Sequence, residues 1–177
     1  MAGFATTYLV RTAASASTLG VRIQQTDATR VVQLHRIVVP YAATSFSCAF
    51  SVWKAKDLSI GSGTYATTDI TWIPFDSGSP SLSSAVPVKR LLSGPVSVTG
   101  TGTVQRVSRA HLAVDATLAV QATSLSQIMA SVISFNLVYE ALPDAPVGLR
   151  GGQNVGLVRD DGAAINADIE LLLTVPG

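Results

Sequence analysis

Val147-Gly148-Leu149-Arg150-Gly151-Gly152-Gln153-Asn154-Val155-Gly156-Leu157-Val158-Arg159-Asp160-Asp161-Gly162, followed by Ile165 to Val175, is the stretch on which the reading of this fold turns. In its last segment Ile165, Ala167, Ile169, Leu171, Leu173 and Val175 recur at every second residue, while Asn166, Asp168, Glu170 and Thr174 take the alternate positions. A period of two places the apolar set on one face of a strand and the polar set on the other. The glycines at 151, 152 and 162 and the paired aspartates mark reversals of the chain, and the spacing predicts a closing hairpin.

The same grammar extends backwards. Phe46, Cys48, Phe50 and Val52 alternate with Ser47, Ala49 and Ser51, and Val31 to Val39 is a β-branched run that the reading ends at Pro40. Val21 and Ile23 alternate with Arg22 and Gln24; Ile70 to Ile73, Val88 to Leu92, Val96 to Val98, Thr103 to Val107 and Ile133 to Tyr139 complete a series of short strands. Between them lie Gly/Pro/Ser-rich connections at Asp57 to Asp69 and Pro74 to Pro87. Only Leu112 to Ser131 carries a faint helical spacing. Many short strands with frequent turns predict an all-β chain, an antiparallel β-sandwich of the jelly-roll kind over residues 21–177.

Met1 to Gly20 reads differently. It is rich in Ala, Thr and Ser, and Arg11 is its only charged side chain. Ordering such a segment costs about 1–2 kcal/mol per residue, which its few large apolar groups do not readily offset. The expectation is an extended N-terminal arm lying against neighbouring subunits; the alternative is a short strand added to the chain's own sheet.

Composition narrows the function classes. Of 177 residues, 47% are hydrophobic and 13% charged, with 12 Lys and Arg against 11 Asp and Glu. The charged share is about half of the roughly 25% usual for soluble domains, which suits a surface made for protein contacts. Interspersed charges and a net charge of +1 predict neither a nucleic-acid partner nor a membrane-surface patch. Mean hydropathy is +0.40, yet no run reaches the ~20 apolar residues of a membrane helix. The N-terminus lacks the basic and apolar regions of a secretory signal.

The search for chemistry yields no catalytic reading. The single cysteine, Cys48, shares a face with Phe46 and Phe50 and reads as a buried core thiol. His35 and His111 have no Cys, Asp or Glu at metal-ligand spacing, so no metal or cofactor is expected. Gly61-Ser62-Gly63-Thr64 lacks the Lys and the helix of a phosphate loop. Asp160-Asp161-Gly162 lacks the repeated acids of a calcium loop. Trp53, Tyr65 and Trp72 are the candidate residues for an aromatic platform that would hold a sugar.

Leu149 to Leu157, with its Gly-containing turn and the Ile165–Val175 strand behind it, resembles the closing segment of jelly-roll virion proteins of tailed bacteriophages. The Val31–Trp53 strands, the Gly61-Ser62-Gly63-Thr64 loop and the Asp76 loop resemble the first half of the same domains. The pattern is also similar to tumour-necrosis-factor-like folds. It departs from the phage pattern where Gln153 and Asn154 stand in place of an acidic turn residue, and where the chain ends Val175-Pro176-Gly177. The resemblance implies a non-enzymatic capsid decoration or cement protein, assembled in the host cytoplasm onto the capsid surface of the virion. Its implied partners are the major capsid protein and copies of itself in a homotrimer. The alternative it implies is a tail-fibre or receptor-binding tip that holds a host glycan through Trp53, Tyr65 and Trp72.

Overall fold

In the computed structural model residues 5–12, 18–26, 28–42, 44–60, 65, 70–75, 87–91, 97–114, 137–142 and 145–176 are described. They form eleven strands and no helix: β1 (Thr6–Arg11), β2 (Gly20–Gln24), β3 (Val32–Ala42), β4 (Phe46–Ile60), β5 (Trp72–Pro74), β6 (Val88–Leu91), β7 (Val98–Val114), β8 (Leu137–Glu140), β9 (Val147–Leu149), β10 (Gln153–Arg159) and β11 (Ala167–Val175). Two antiparallel sheets result. The first has the order β5-β1-β11-β3-β8, with β9 also on β3, and the second the order β6-β2-β10-β4-β7. The expected all-β chain of two facing antiparallel sheets is what the strands build.

The core lies where the alternating apolar faces meet. Tyr8 and Val10 from β1, Ile169, Leu171 and Leu173 from β11, and Leu34 and Ile37 from β3 face Ile23, Phe50, Val52, Val155 and Leu157 from the second sheet. Trp72 is 1% exposed and meets Tyr8 edge to face, with ring centroids 5.4 Å apart. Cys48 is buried in this core, as its alternation predicts, and burial pushes its thiol pKa up.

Three expectations change. First, the segment read as an arm contributes β1, which sits inside the first sheet between β5 and β11, with Thr6 opposite Val175 and Arg11 opposite Glu170. The alternative, an N-terminal strand in the chain's own sheet, describes residues 6–11. Two large side chains, Tyr8 and Val10, suffice because both are buried and their strand is hydrogen-bonded on both edges. Beyond β1, the Thr12 N–H donates to the Ile169 carbonyl at 3.0 Å and the Thr12 hydroxyl accepts from the Ile169 N–H at 2.8 Å. The Thr18 carbonyl accepts from the Ile165 N–H. Residues 1–4 and 13–17 lie outside the described residues.

Second, the expected closing hairpin is a crossover between sheets. The turn itself is present: the Gly162 N–H donates to the Arg159 carbonyl, and Gly162 takes φ +70°, a conformation open to glycine. Yet β10 pairs β2 and β4 in one sheet, while β11 pairs β1 and β3 in the other. No two strands consecutive in the chain pair with each other among the described residues. Alternation reports which face of a strand is buried, not which strand lies beside it, so the hairpin was not determined by the pattern.

Third, strands run through the expected breaks. β3 continues past Pro40 to Ala42, and Pro40 falls inside a register shift between the Glu170↔Val38 and Asp168↔Tyr41 pairs, where its missing N–H interrupts no regular ladder bond. β7 is one strand through Gly100 and Gly102, with register shifts against β4 there. β4 extends past Lys56 into the segment expected to be a loop, bending at Asp57, whose φ is 50°. Leu58 and Ile60 then cover the outer face of the second sheet, both wholly buried. Residues 61–64, 66–69, 76–86 and 115–136 lie outside the described residues, and with them most of both candidate loops and of the faint helical spacing.

Candidate functional site

The three aromatic residues proposed for a sugar platform do not come together. Trp72 is a core residue of the first sheet, closed off by Tyr8. Its neighbours in β5 alternate, so Trp72 points inward while Ile73 points out. Trp53 and Tyr65 each pack against the small cluster of Ile60 and Val158 on the outer face of the second sheet. Their faces carry cations from this chain: the Arg22 guanidinium carbon lies 4.2 Å from the Tyr65 centroid and that of Arg106 lies 5.7 Å from the Trp53 centroid. The Tyr65 hydroxyl accepts from the Ile60 N–H at 3.0 Å and donates to the Ile60 carbonyl at 3.1 Å. Tyr65 thus closes the segment that folds over this sheet, with its polar tip engaged in the fold.

At the turn after β10, charges compensate one another. Arg159 is largely buried over the Phe46 ring and donates to both carboxylate oxygens of Asp161, at 3.0 and 2.6 Å. Asp160 accepts from the Ser51 hydroxyl at 2.5 Å and from Arg109 at 2.7 Å. The sequence singled out these aspartates as turn formers; their second task is to tie β10 to β4 and β7. The Arg159 hydrogen bonds hold the Asp161 carboxyl below its ordinary value of 3.8, with burial opposing and the Ala163 N–H assisting. A depressed folded value means that the ionised pair stabilises the fold above the ordinary value, and that this contribution is lost as pH falls through the folded value. Asp161 is 46% exposed, so solvent screening limits the contribution to about 1 kcal/mol. In urea titrations from neutral pH to about pH 2, Asp161→Asn is expected to be less stable at neutral pH and to converge on the wild type in acid. A gap between the two that stays constant with pH would contradict this assignment.

The outer face of the first sheet is different in kind. Ile73 pairs with Leu9, Leu9 with Leu172, Leu172 with Arg36 and Arg36 with Glu140, giving one row across five strands. On the neighbouring row Phe75 donates its N–H to Thr7, and Thr7 pairs with Thr174. Ile73 is 51% and Phe75 68% exposed, and Leu9 and Leu172 are half-buried beside them. Arg11, with Asp168 at 2.7 Å and Glu170 at 3.3 Å, borders this apolar area on one side, and the opposed Arg36 and Glu140 extend its row at the far edge. Sequence reading missed the area because its members come from three distant segments. The visible signal was the inward-outward parity of Trp72-Ile73-Pro74-Phe75.

The third feature is an end of the sandwich. Lys54 reaches between the sheets and donates to the Gly148 carbonyl at 2.7 Å. Burial and, after it, the nearby Arg150 lower its pKa from the ordinary 10.5. Among the described residues no three of His, Cys, Asp and Glu gather as a metal-binding group.

These faces define an antiparallel two-sheet β-sandwich protein with one apolar outer face and one outer face covered by its own chain. Compared with known proteins, the chain matches no family model, no curated protein and no solved structure.

Proposed function

We propose that this chain is a structural protein of a tailed-phage virion, a jelly-roll capsid decoration protein that self-associates and stabilises the assembled head shell through subunit contacts. The jelly-roll reading is supported by how the pairs nest: β1 with β11, β2 with β10, β3 with β8 and β4 with β7, rolled so that β11 also meets β3 and β10 also meets β4. The observation that carries the functional reading is the outer face of the first sheet, where Ile73, Phe75, Leu9 and Leu172 lie together. Contiguous apolar surface rimmed by polar residues marks a contact surface. Charges of both signs border it, so a second copy meets no field of uniform sign. Subunit contact therefore passes, in this reading, from an N-terminal arm to a sheet face, with a homotrimer as the expected assembly and the major capsid protein as the expected partner. Binding only the assembled shell would stabilise that state by mass action over many copies.

The test has two parts. Sedimentation of the purified chain at micromolar concentration is expected to show a trimer, and Phe75→Lys together with Ile73→Lys is expected to yield a folded monomer. Gold-labelled antibody against the chain is expected to decorate phage heads. A monomer unaffected by the substitutions, with no label on particles, would overturn the reading. Label confined to the tail tip would instead favour the receptor-binding alternative, for which Trp53 and Tyr65 remain the residues to substitute.

A further inference from the structure

Arg11, Arg109 and Arg159 each have a carboxylate within 3.3 Å. Lys54, Lys56 and Arg150 form no ion pair among the described residues, and they gather at one end of the sandwich. Lys54 donates to Gly148 of β9, Arg150 follows β9 and is close enough to depress the Lys54 pKa, and the Lys56 side chain packs within about 4 Å of the position a Cβ on Gly152 would take. Strand pairing holds the group together: Lys54 lies opposite Val155 and Lys56 opposite Gln153 on β10. The Asp57 N–H donates to the Gly152 carbonyl, and the Arg150 N–H donates to the Gln153 side chain, so the turn that carries Arg150 is fixed to the strand that carries both lysines.

The half-buried Lys54 ammonium beside Arg150, with Lys56 at the same turn, raises the energy of the folded chain, and an anion between them relieves both the repulsion and the desolvation. We propose that Lys54, Lys56 and Arg150 form a binding site for an oxyanion, a phosphate or carboxylate group, at the turn between β9 and β10. Lys54 carries three donors, of which one is used on Gly148. Arg150 is exposed and offers the planar fork that matches both oxyanions. The inference is independent of the virion reading.

Lys54 is the reporter. Its lowered folded value means that the charged form is disfavoured by folding: stability from this group is present above the ordinary value of 10.5 and is lost as pH falls through the folded value. The charged group acting on it is the cation Arg150; Lys56 stands two residues along its own strand, with Asp57 next to it. An anion bound between Lys54 and Arg150 must raise the Lys54 pKa.

The experiment titrates the whole chain with inorganic phosphate and, separately, with glutarate, against sodium chloride at matched ionic strength, following the Lys54 side-chain resonance by NMR and the melting temperature. Saturable binding is expected, with the Lys54 pKa moving up towards 10.5 and the melting temperature rising. Arg150→Gln, at an exposed turn position, is expected to weaken binding at least about ten-fold without disturbing the fold; that factor corresponds to about 1.4 kcal/mol. Lys54→Met is expected to abolish the response while leaving a chain at least as stable as the wild type. A response to phosphate alone identifies a phosphate group, and one to glutarate alone a carboxylate; either supports the site. A response matched by chloride, or unchanged in Arg150→Gln, overturns it.

Discussion

Replacing Trp72 by alanine is expected to lower the free energy of unfolding by about 3–5 kcal/mol, the range for deleting a large aromatic side chain from a packed core. Trp72 is 1% exposed on a strand of only three residues, and its ring meets Tyr8 edge to face. Its loss removes contacts on β5 and on β1 together, at the edge of the first sheet where, among the described residues, β5 has a single neighbouring strand. Urea denaturation followed by far-ultraviolet circular dichroism measures the change. Trp53→Ala serves as the control, since Trp53 is half-buried on an outer face; its cost is expected to be about 1–2 kcal/mol. Equal losses for the two variants would contradict the assignment of Trp72 to the core. The comparison also governs any test of sugar binding: activity lost in Trp72→Ala would report unfolding, so Trp53 and Tyr65 carry that question.

Gly156→Val is expected to destabilise the chain by about 3 kcal/mol, at the upper end of the usual cost of overpacking. Gly156 sits in the middle of β10, and the position a side chain would take there faces the segment that folds over the second sheet. A Cβ there would stand 2.8 Å from Ile60 Cγ1, 3.1 Å from Leu58 Cδ2 and closer still to Ile60 Cδ1. Leu58 and Ile60 are wholly buried and held from the other side by Tyr65 and Arg22, so they have little room to withdraw. In an Ile60→Ala background the same substitution is expected to cost about 1–2 kcal/mol less, because the colliding side chain is gone. Simple additivity of the two changes would show that the covering segment does not press on Gly156.

Both predictions rest on facts that the sequence carries unevenly. That Trp72 or Ile73 must be inward follows from the strand pattern, but which of the two was not decided by it: a four-residue strand of Ile70, Thr71, Trp72 and Ile73 offers apolar residues to both faces. The pairing of Leu9 with Ile73 and of Leu172 with Leu9 assembles the apolar outer face from residues more than sixty positions apart, and no local pattern joins them. The covering segment hid behind its composition. Asp57-Leu58-Ser59-Ile60 precedes a Gly/Ser stretch and reads as the start of a loop, whereas Gly20 and Gly156 leave the space it occupies. Lys54 was passed over because a lysine between apolar strands is usually solvated; its position between the sheets depends on Gly148 from the opposite sheet.

The stretch from Val147 to Val175 shows where the line falls. Its alternation by itself determined a strand, formed over Ala167–Val175, with the apolar set inward: Ile165, Ala167, Ile169, Leu171 and Leu173 are buried and Val175 partly so. The same alternation elsewhere determined an all-β chain with Cys48 and Phe50 in its core. These properties follow from side-chain direction along an extended backbone, which is local. Only the tertiary structure decided that the last two strands lie in opposite sheets, that the first residues supply an interior strand, and that Leu9, Ile73, Phe75 and Leu172 share a surface. Strand partners are chosen by burial summed over the whole chain, and where, among the described residues, no strands consecutive in the chain pair, each such choice is made between distant segments.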